Sequence, residues 1–330
     1  MAAVFSGEEI LDITKGRLVQ GSLPDDEVGE VATDSRDMPQ GAWFLALEGR
    51  TYDGHNFLAD AFNAGALGCI VAERVSYPIS SPQFPLIAVE DTEAAYAALA
   101  RNWRRRLRPR VVLVAGRGAD RVSRSARLII SLLSRSLAHA PGSTVLVVSH
   151  SQRLEGMAAT LLSLEPDTRI LVVDYVPACA EDVRLAGQML EPSLLLLPVG
   201  AFADLRLTEG DSAVGAVLKI LQSFVDRHSC LVAATSTYGV LEADAEKHRQ
   251  LELFDSSALL NSQEGEGLTS FGIVGSDERF VLLQEGYLAI EDIWLAVMAL
   301  RRLGMSDAEI ASELHYLTVE ENLGADGLEI

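Results

Sequence analysis

The chain has 330 residues, 48% of them hydrophobic, and a formal net charge of -20. That apolar content can build more than one core, so two domains are expected and a disordered chain is excluded. The acidic balance favours solubility and excludes general binding to nucleic acid or to anionic membranes. The opening MAAVFSGEEILDI carries acids where a secretory leader needs a basic start, and no apolar run reaches the length of a membrane span. A cytoplasmic protein is expected. Cys69, Cys179 and Cys230 are odd in number and far apart, which fits reduced thiols better than a disulfide framework or a zinc site.

Residues from Phe5 to about Val89 read as a small α/β unit. A helix around Glu8 to Thr14 is followed by strand-like VATDSR and AWFLAL. The pattern is helical from Asn56 to Gly65, returns to a strand at Gly68 to Ala72, and closes with IAVED. Polar residues crowd the strand ends inside this unit, where α/β folds keep their ligands. Asp91 to Leu107 reads as a connecting helix with Tyr96, Leu99, Trp103 and Leu107 on one face. It runs into RNWRRRLRPR, Arg101 to Arg110, which has two readings. One is a docking block for an acidic partner, phosphate or nucleic acid. The other, which is favoured, is a helix end whose arginines complement the dipole and pair with nearby carboxylates.

From Arg110 to about Ala234, apolar runs alternate with helical segments at 122 to 138, 152 to 163, 180 to 189 and 211 to 226. Runs of this length separated by helices predict a mostly parallel sheet covered on both faces. The first of them, RVVLVAGRGADRVSRSARLIISLL, reads as buried strand, glycine turn and helix, the place of a P-loop. A working P-loop, GxxxxGK[ST], cradles phosphates on backbone N–H groups, reaches them with a lysine and ties magnesium with a hydroxyl. Here those positions are Gly116, Arg117, Gly118, Ala119, Asp120 and Arg121. A carboxylate stands where an ammonium is needed. A unit charge pair about 4 Å apart at an effective dielectric near 20 is worth roughly 4 kcal/mol in either direction. The remaining lysines cannot compensate, because the chain has only Lys15, Lys219 and Lys247.

Further along, an acidic loop rich in glycine and serine is expected near Asn261 to Ser270, then a hairpin from FGIVG and RFVLLQ. Two helices come next, Ala289 to Leu303 and Ser306 to Leu314, the second opened by a capping box of Ser306 and Glu309. His248 and His315 stand singly with no nucleophile beside them, so no catalytic residue is assigned.

TDSR, then GAWFLALEGRTYDGH, a helix ending in AGA, and VEDT before the next helix resemble the N-terminal domain of the bacterial Mur ligases. The resemblance covers residues 5 to 100. It implies a first domain, 1–107, that holds the UDP end of a UDP-muramoyl substrate. Thr33 and Ser35 would face uridine and diphosphate, and Arg50, Thr51 and Tyr52 would line the same pocket together with His55 of the Asp53-Gly54-His55 signature. DSR and DGH are also turn-forming signatures, and that reading stays open beside the first.

Residues 108–330 are similar to the family's central ATPase domain in the order and spacing of their segments. The implied fold is α/β, a small N-terminal Mur-ligase-type domain plus a P-loop-type central domain with a mostly parallel sheet. The family's C-terminal ligase domain is expected to be absent. The chemistry matches less well. The family's GKT reads Ala119, Asp120, Arg121, and its metal-binding Glu corresponds to Asp174, the one candidate metal ligand. The expected metal His falls near Ala203, and the carbamylated lysine falls near Val217. Lys219, two residues on, faces roughly 200 degrees away on a helix. The Asn and His expected near adenine fall at Leu288 and Ala289.

The resulting expectation is a degenerate, non-catalytic relative in peptidoglycan biosynthesis. It would bind a UDP-N-acetylmuramoyl-peptide or scaffold cell-wall synthesis proteins, and would use neither the ATP nor the magnesium of the family. Two alternatives remain: a divergent ligase in which Arg117, Arg121 and Asp174 take over the lost roles, and an interaction module acting through the Arg101–Arg110 block.

Overall fold

The computed structural model describes residues 3–48, 53–73, 77, 81–115, 128–129, 131–132, 144–148, 154–175, 180–197, 230–234, 251–254, 256–265, 267–283 and 290–317. By packing, the chain divides into two units. One is Met1–Arg108 with Arg153–Pro166, and the other is Pro109–Gln152 with Asp167–Ile330. A helix that lies in sequence between two strands of the second unit thus belongs by packing to the first.

In the first unit, short apolar runs bounded by glycine and proline form strands: β1 (Phe5–Ser6), β2 (Arg17–Gln20), β3 (Val28–Gly29), β4 (Val31–Ala32), β5 (Trp43–Leu45), β6 (Gly68–Ala72) and β7 (Leu86–Val89). The main sheet has the order β2-β7-β6-β5-β4. Strands β4 to β7 pair in parallel, and β2 closes one edge antiparallel to β7. β1 and β3 make a separate antiparallel pair. Phe44, Ala46, Leu58, Cys69, Val71, Leu86 and Ala88 share one core cluster. Trp43 is fully buried, and its indole N–H donates to the Phe5 carbonyl at 3.1 Å.

The helices of this unit start where their caps dictate. α1 (Gly7–Thr14) is opened by a reciprocal box in which Ser6 accepts from the Glu9 N–H and Glu9 from the Ser6 N–H. α2 (Leu58–Asn63) follows a 3-10 turn over Gly54–Phe57. α3 (Thr92–Leu107) begins at Asp91, whose side chain accepts from the Ala94 N–H, and ends at Arg108 in the left-handed region. Tyr96 and Leu99 lie on its buried face, as the spacing predicts. α4 (Leu154–Leu162) is the helix that crosses over. Met157, Ala158 and Leu161 are buried, and the Trp103 indole N–H of α3 donates to the Leu164 carbonyl at 3.0 Å.

The second unit contains a six-stranded parallel sheet of β8 (Arg110–Ala115), β9 (Thr144–Val148), β10 (Thr168–Tyr175), β11 (Leu194–Leu197), β12 (Cys230–Ala234) and β13 (Leu251–Phe254). Its order is β13-β12-β11-β8-β10-β9, and every pairing is parallel. Unbroken runs such as Val111 to Val114 and Leu194 to Leu197 are buried throughout, as strands covered on both faces require. α5 (Ala180–Leu190) connects β10 to β11. The segment at 211 to 226 lies outside the described residues, as does most of 122 to 138. The described residues of the latter, 128, 129, 131 and 132, are helical, and Leu128, Ile129 and Leu132 among them are buried.

Next along the chain is an antiparallel sheet of β14 (Leu259–Gly265), β15 (Leu268–Ile273) and β16 (Arg279–Leu283), in the order β14-β15-β16. The hairpin expected from FGIVG and RFVLLQ is present as β15 and β16. The loop expected near Asn261 to Ser270 is instead two paired strands in which Gly265 lies opposite Leu268, and Gly267 has φ 85°. β14 is solvent-facing along nearly its whole length, so no apolar alternation announced it. α6 (Ile290–Leu303) and α7 (Asp307–Tyr316) follow, and Ser306 and Glu309 form the expected capping box. Among the described residues, no helix is long and apolar enough to cross a membrane.

Candidate functional site

Parallel strands all end on one edge of their sheet, and in the first unit that edge gathers the polar signatures. β4 ends at Ala32 beside β5, and Thr33 to Arg36 come immediately after it. Asp34 makes this turn brace itself. It accepts the Arg36 backbone N–H at 3.0 Å and takes the guanidinium in a fork, Nε at 2.9 Å and Nη2 at 2.6 Å. The guanidinium holds the Asp34 carboxyl far below the usual carboxylate range, at about 2. Arg36 is thereby committed to Asp34. Thr33 and Ser35 are half-buried on either side, and among the described residues neither hydroxyl is engaged in a hydrogen bond.

The next strand, β5, runs on through Ala46 to Glu48. Glu48 and Asp53 form an antiparallel bridge that closes the base of the segment between them. The Gly54 N–H donates to the Leu47 carbonyl at 2.8 Å. A β-carbon at Gly54 would lie 2.9 Å from the backbone N and O of Leu47, so the chain can return this close only with glycine. Arg50, Thr51 and Tyr52, which the resemblance places on the ligand, lie outside the described residues.

His55 is 2% exposed and uses both ring nitrogens. The Ala72 N–H donates to its Nε2 at 2.9 Å, so the ring proton sits on Nδ1, which donates to Asp53 Oδ1 at 2.6 Å. The same Asp53 oxygen accepts the His55 backbone N–H at 3.0 Å and caps the 3-10 turn. Neither nitrogen remains for a ligand, so in this arrangement His55 ties the turn after β5 to the end of β6. The Ala72 carbonyl accepts from the Tyr77 hydroxyl at 2.9 Å. The motif DGH was legible in the sequence, but its partner at Ala72 was not, because nothing local marks a main-chain N–H as an anchor.

In the second unit the carboxyl end of β8 lies between those of β10 and β11, at the point where the strand order reverses. Open α/β sheets bind ligands at such a crevice. Val114 pairs with Asp174 across β8 and β10, which puts the Asp174 backbone one residue short of the end of β8. Gly116, Arg117, Gly118, Ala119, Asp120 and Arg121 follow β8 directly and lie outside the described residues. Among the described residues no cluster of His, Cys, Asp or Glu could hold a metal ion.

The arginine block is drawn into the chain's own structure. Arg106 pairs with Glu9 at 2.8 Å and lies over the Phe5 ring, 5.2 Å from its centroid. Arg110 donates to the carbonyls of Arg302 at 2.6 Å and Leu303 at 2.9 Å, the last carbonyls of α6. Arg101, Arg104 and Arg105 also have partners. This agrees with the reading of arginines at a helix end. Cys69, whose thiol pKa burial raises well above its usual value, is a core side chain.

Residues 27–104 match the Mur ligase family, catalytic domain. The chain carries a Mur ligase family domain and is close to the UDP-N-acetylmuramoyl-tripeptide–D-alanyl-D-alanine ligases in both sequence and structure. It is 25% identical to that ligase of Bacillus subtilis over 329 residues, covering 94% of this chain and 67% of the relative. It is 27% identical to that of Synechocystis over 190 residues, 58% of this chain. The match spans only 40% of the Synechocystis protein's length. Among solved structures, MurF from Acinetobacter baumannii aligns with a TM-score of 0.76 at 21% identity, covering 99% of this chain and 70% of that one. MurF from Thermotoga maritima in complex with ADP aligns at 0.66 and 20% identity, over 88% of this chain and 66% of that one. At these identities the structural matches establish a shared Mur ligase fold.

Proposed function

We propose that this chain is a Mur-ligase-like protein of peptidoglycan precursor synthesis that holds the UDP end of a UDP-N-acetylmuramoyl-peptide in its first unit and does not carry out ATP-driven ligation. The observation that carries the reading is the braced carboxyl edge of the first sheet. There, Asp53, Gly54 and His55 join the turn after β5 to β6, while the half-buried hydroxyls of Thr33 and Ser35 have no hydrogen-bond partner among the described residues. A prepared polar edge of this kind lowers the ordering cost of binding. Against ligation stands the carboxylate of Asp120 in the phosphate loop of a chain with only three lysines, since phosphoryl transfer depends on cationic positioning. ATP and magnesium are therefore not expected as cofactors. Isothermal titration of the full chain with UDP-N-acetylmuramoyl-tripeptide, and separately with ATP and magnesium, tests both halves. Binding of the first and none of the second supports the proposal, whereas failure to bind any UDP-muramoyl-peptide ends it.

A second reading, a working ligase with rewired chemistry, is favoured by the alignment to the Bacillus subtilis ligase across 94% of the chain. In it Arg117 and Arg121 would neutralise phosphate charge and Asp174 would hold magnesium. Its test is ATP turnover in the presence of UDP-N-acetylmuramoyl-tripeptide and D-alanyl-D-alanine, abolished by Asp174→Ala.

A further inference from the structure

We infer that His55 is a positioning residue for the nucleotide-sugar site, acting by locking the turn that starts at Asp53 to the carboxyl end of β6. The inference rests on the proposed UDP-end site and adds the residue that sets its geometry. A buried imidazole can bind a ligand, serve as a proton carrier or act as a fixed two-ended link, and the hydrogen bonds select the last. Nε2 accepts a main-chain N–H that belongs to β6, and Nδ1 donates to a carboxylate that belongs to the turn. The link therefore spans two chain segments 17 residues apart in sequence.

Both ends of the link are themselves anchored. On the turn side, Asp53 bridges to Glu48 and Gly54 is bonded to Leu47, so Asp53 cannot shift without moving the end of β5. On the strand side, Ala72 is held through its carbonyl by Tyr77, and the next N–H, of Glu73, donates to the Val89 carbonyl at 2.9 Å. A displacement at His55 would thus be felt along the carboxyl ends of β5 and β6 together. The ring is 2% exposed, so water cannot readily replace either bond. Asp53 Oδ1 accepts from the backbone and the ring of His55, and it is the far side of that ring that reaches β6.

Two substitutions separate the ends of the link. His55→Gln can present an amide oxygen where Nε2 stood and keep the Ala72 N–H. His55→Asn can present an amide N–H where Nδ1 stood and keep Asp53, but is too short to reach Ala72. Each is compared with the native chain by titration with UDP-N-acetylmuramoyl-tripeptide, by thermal unfolding without ligand, and by amide exchange at Ala72 and Gly54. The expected result is a loss of affinity of about tenfold or more in His55→Asn, the order of one lost buried hydrogen bond, with faster exchange at Ala72. His55→Gln should recover most of that affinity at an unfolding midpoint similar to that of His55→Asn.

A folded His55→Asn chain that exchanges faster at Ala72 yet binds as tightly as the native one overturns the positioning role and leaves the proposed site standing. Equal losses in both variants that track their unfolding midpoints also overturn it, since they would show a stability effect only. A native chain that does not bind the tripeptide overturns the site itself, and the positioning role with it.

Discussion

Both units are built around mostly parallel sheets, the first with its polar strand-end turns among the described residues and the second described chiefly through its apolar strands. In the first unit the turns after β4 and β5 are knit by specific polar atoms: Asp34 to Arg36, Asp53 to His55, His55 to Ala72. In the second, the strands among the described residues are buried apolar runs, as with Val111 to Val114 and Leu194 to Leu197. Strands buried through their own apolar side chains can persist when the chemistry of a neighbouring loop changes, because a fold can outlive its site. An edge of the first kind cannot lose its polar residues without losing its shape. The braced DSR and DGH turns therefore support the proposed UDP-end site more directly than the parallel sheet supports an ATPase.

The largest expected effect would come from breaking the first unit at its core. Trp43 is fully buried in the strand that carries the chain to Glu48, and its ring fills the space beside Gly7 and Gly68. Trp43→Ala should destabilise the protein by about 3–5 kcal/mol, as large aromatic truncations do, and should abolish UDP-muramoyl-peptide binding. Urea unfolding followed by intrinsic fluorescence or circular dichroism measures the first effect. A loss below about 1 kcal/mol would mean that the polar edge, and not the core beneath it, holds this unit together.

The second test works on the other side of the comparison. If the second unit kept its sheet and lost only its loop chemistry, restoring the loop should restore the nucleotide. The triple change Ala119→Gly, Asp120→Lys and Arg121→Thr recreates GKT, replacing repulsion by attraction worth roughly 4 kcal/mol per charge pair near a dielectric of 20. ATP with magnesium should bind measurably to this variant and not to the native chain, read by titration with a fluorescent nucleotide. Equal binding by both would show that Asp120 was never the obstacle and would favour the ligase reading.

The legibility of the fold in the sequence divides along the same line. Continuous apolar runs such as Gly68–Ala72 and Leu194–Leu197 announced their strands, and Ser306 with Glu309 announced the start of α7, because burial and capping leave local marks. The edge strand Arg17–Gln20 and the exposed β14 left none, since solvent-facing residues obey no period. Nor could local pattern assign α4 to the first unit, because its partner α3 ends 47 positions earlier, at Leu107, than α4 begins at Leu154. At the site, motif recognition found Asp53 and His55 but could not say whether the imidazole faces a ligand or the chain. That depends on Ala72, a residue with no side-chain chemistry.

A smaller effect is expected from Arg110, which belongs to the arginine block by sequence and to the end of α6 by structure. Arg110→Ala removes two hydrogen bonds to the final carbonyls of that helix and one charge favourable to its dipole. The expected cost is about 1 kcal/mol, seen as a lower midpoint in thermal unfolding, with UDP-muramoyl-peptide binding unchanged. Reversing the charges of Arg104 to Arg106 should likewise lower stability, through Arg106 and Glu9, and should not release a bound partner in a pull-down. Release of a specific partner at unchanged stability would revive the interaction-module alternative.

The smallest effect concerns pH at the TDSR turn. Arg36 lowers the Asp34 carboxyl from the usual 3.8 to about 2. A depressed folded-state value means that the pair contributes stability above the unfolded carboxylate range, and that this contribution fades as pH falls from near 4 through about 2. The Arg36 side chain is 86% exposed, so solvent and salt screen the pair and the change in overall stability should be slight. The titration itself is the sharper observable. Carboxyl-carbon NMR of Asp34 should give a midpoint near 2 in the native chain, and one restored toward the usual carboxylate range in Arg36→Gln. A native midpoint near 3.8 would mean that the guanidinium is not held by Asp34 in solution. Arg36 would then be available to an incoming diphosphate, and the turn would meet its ligand with a cation rather than with the hydroxyls of Thr33 and Ser35 alone.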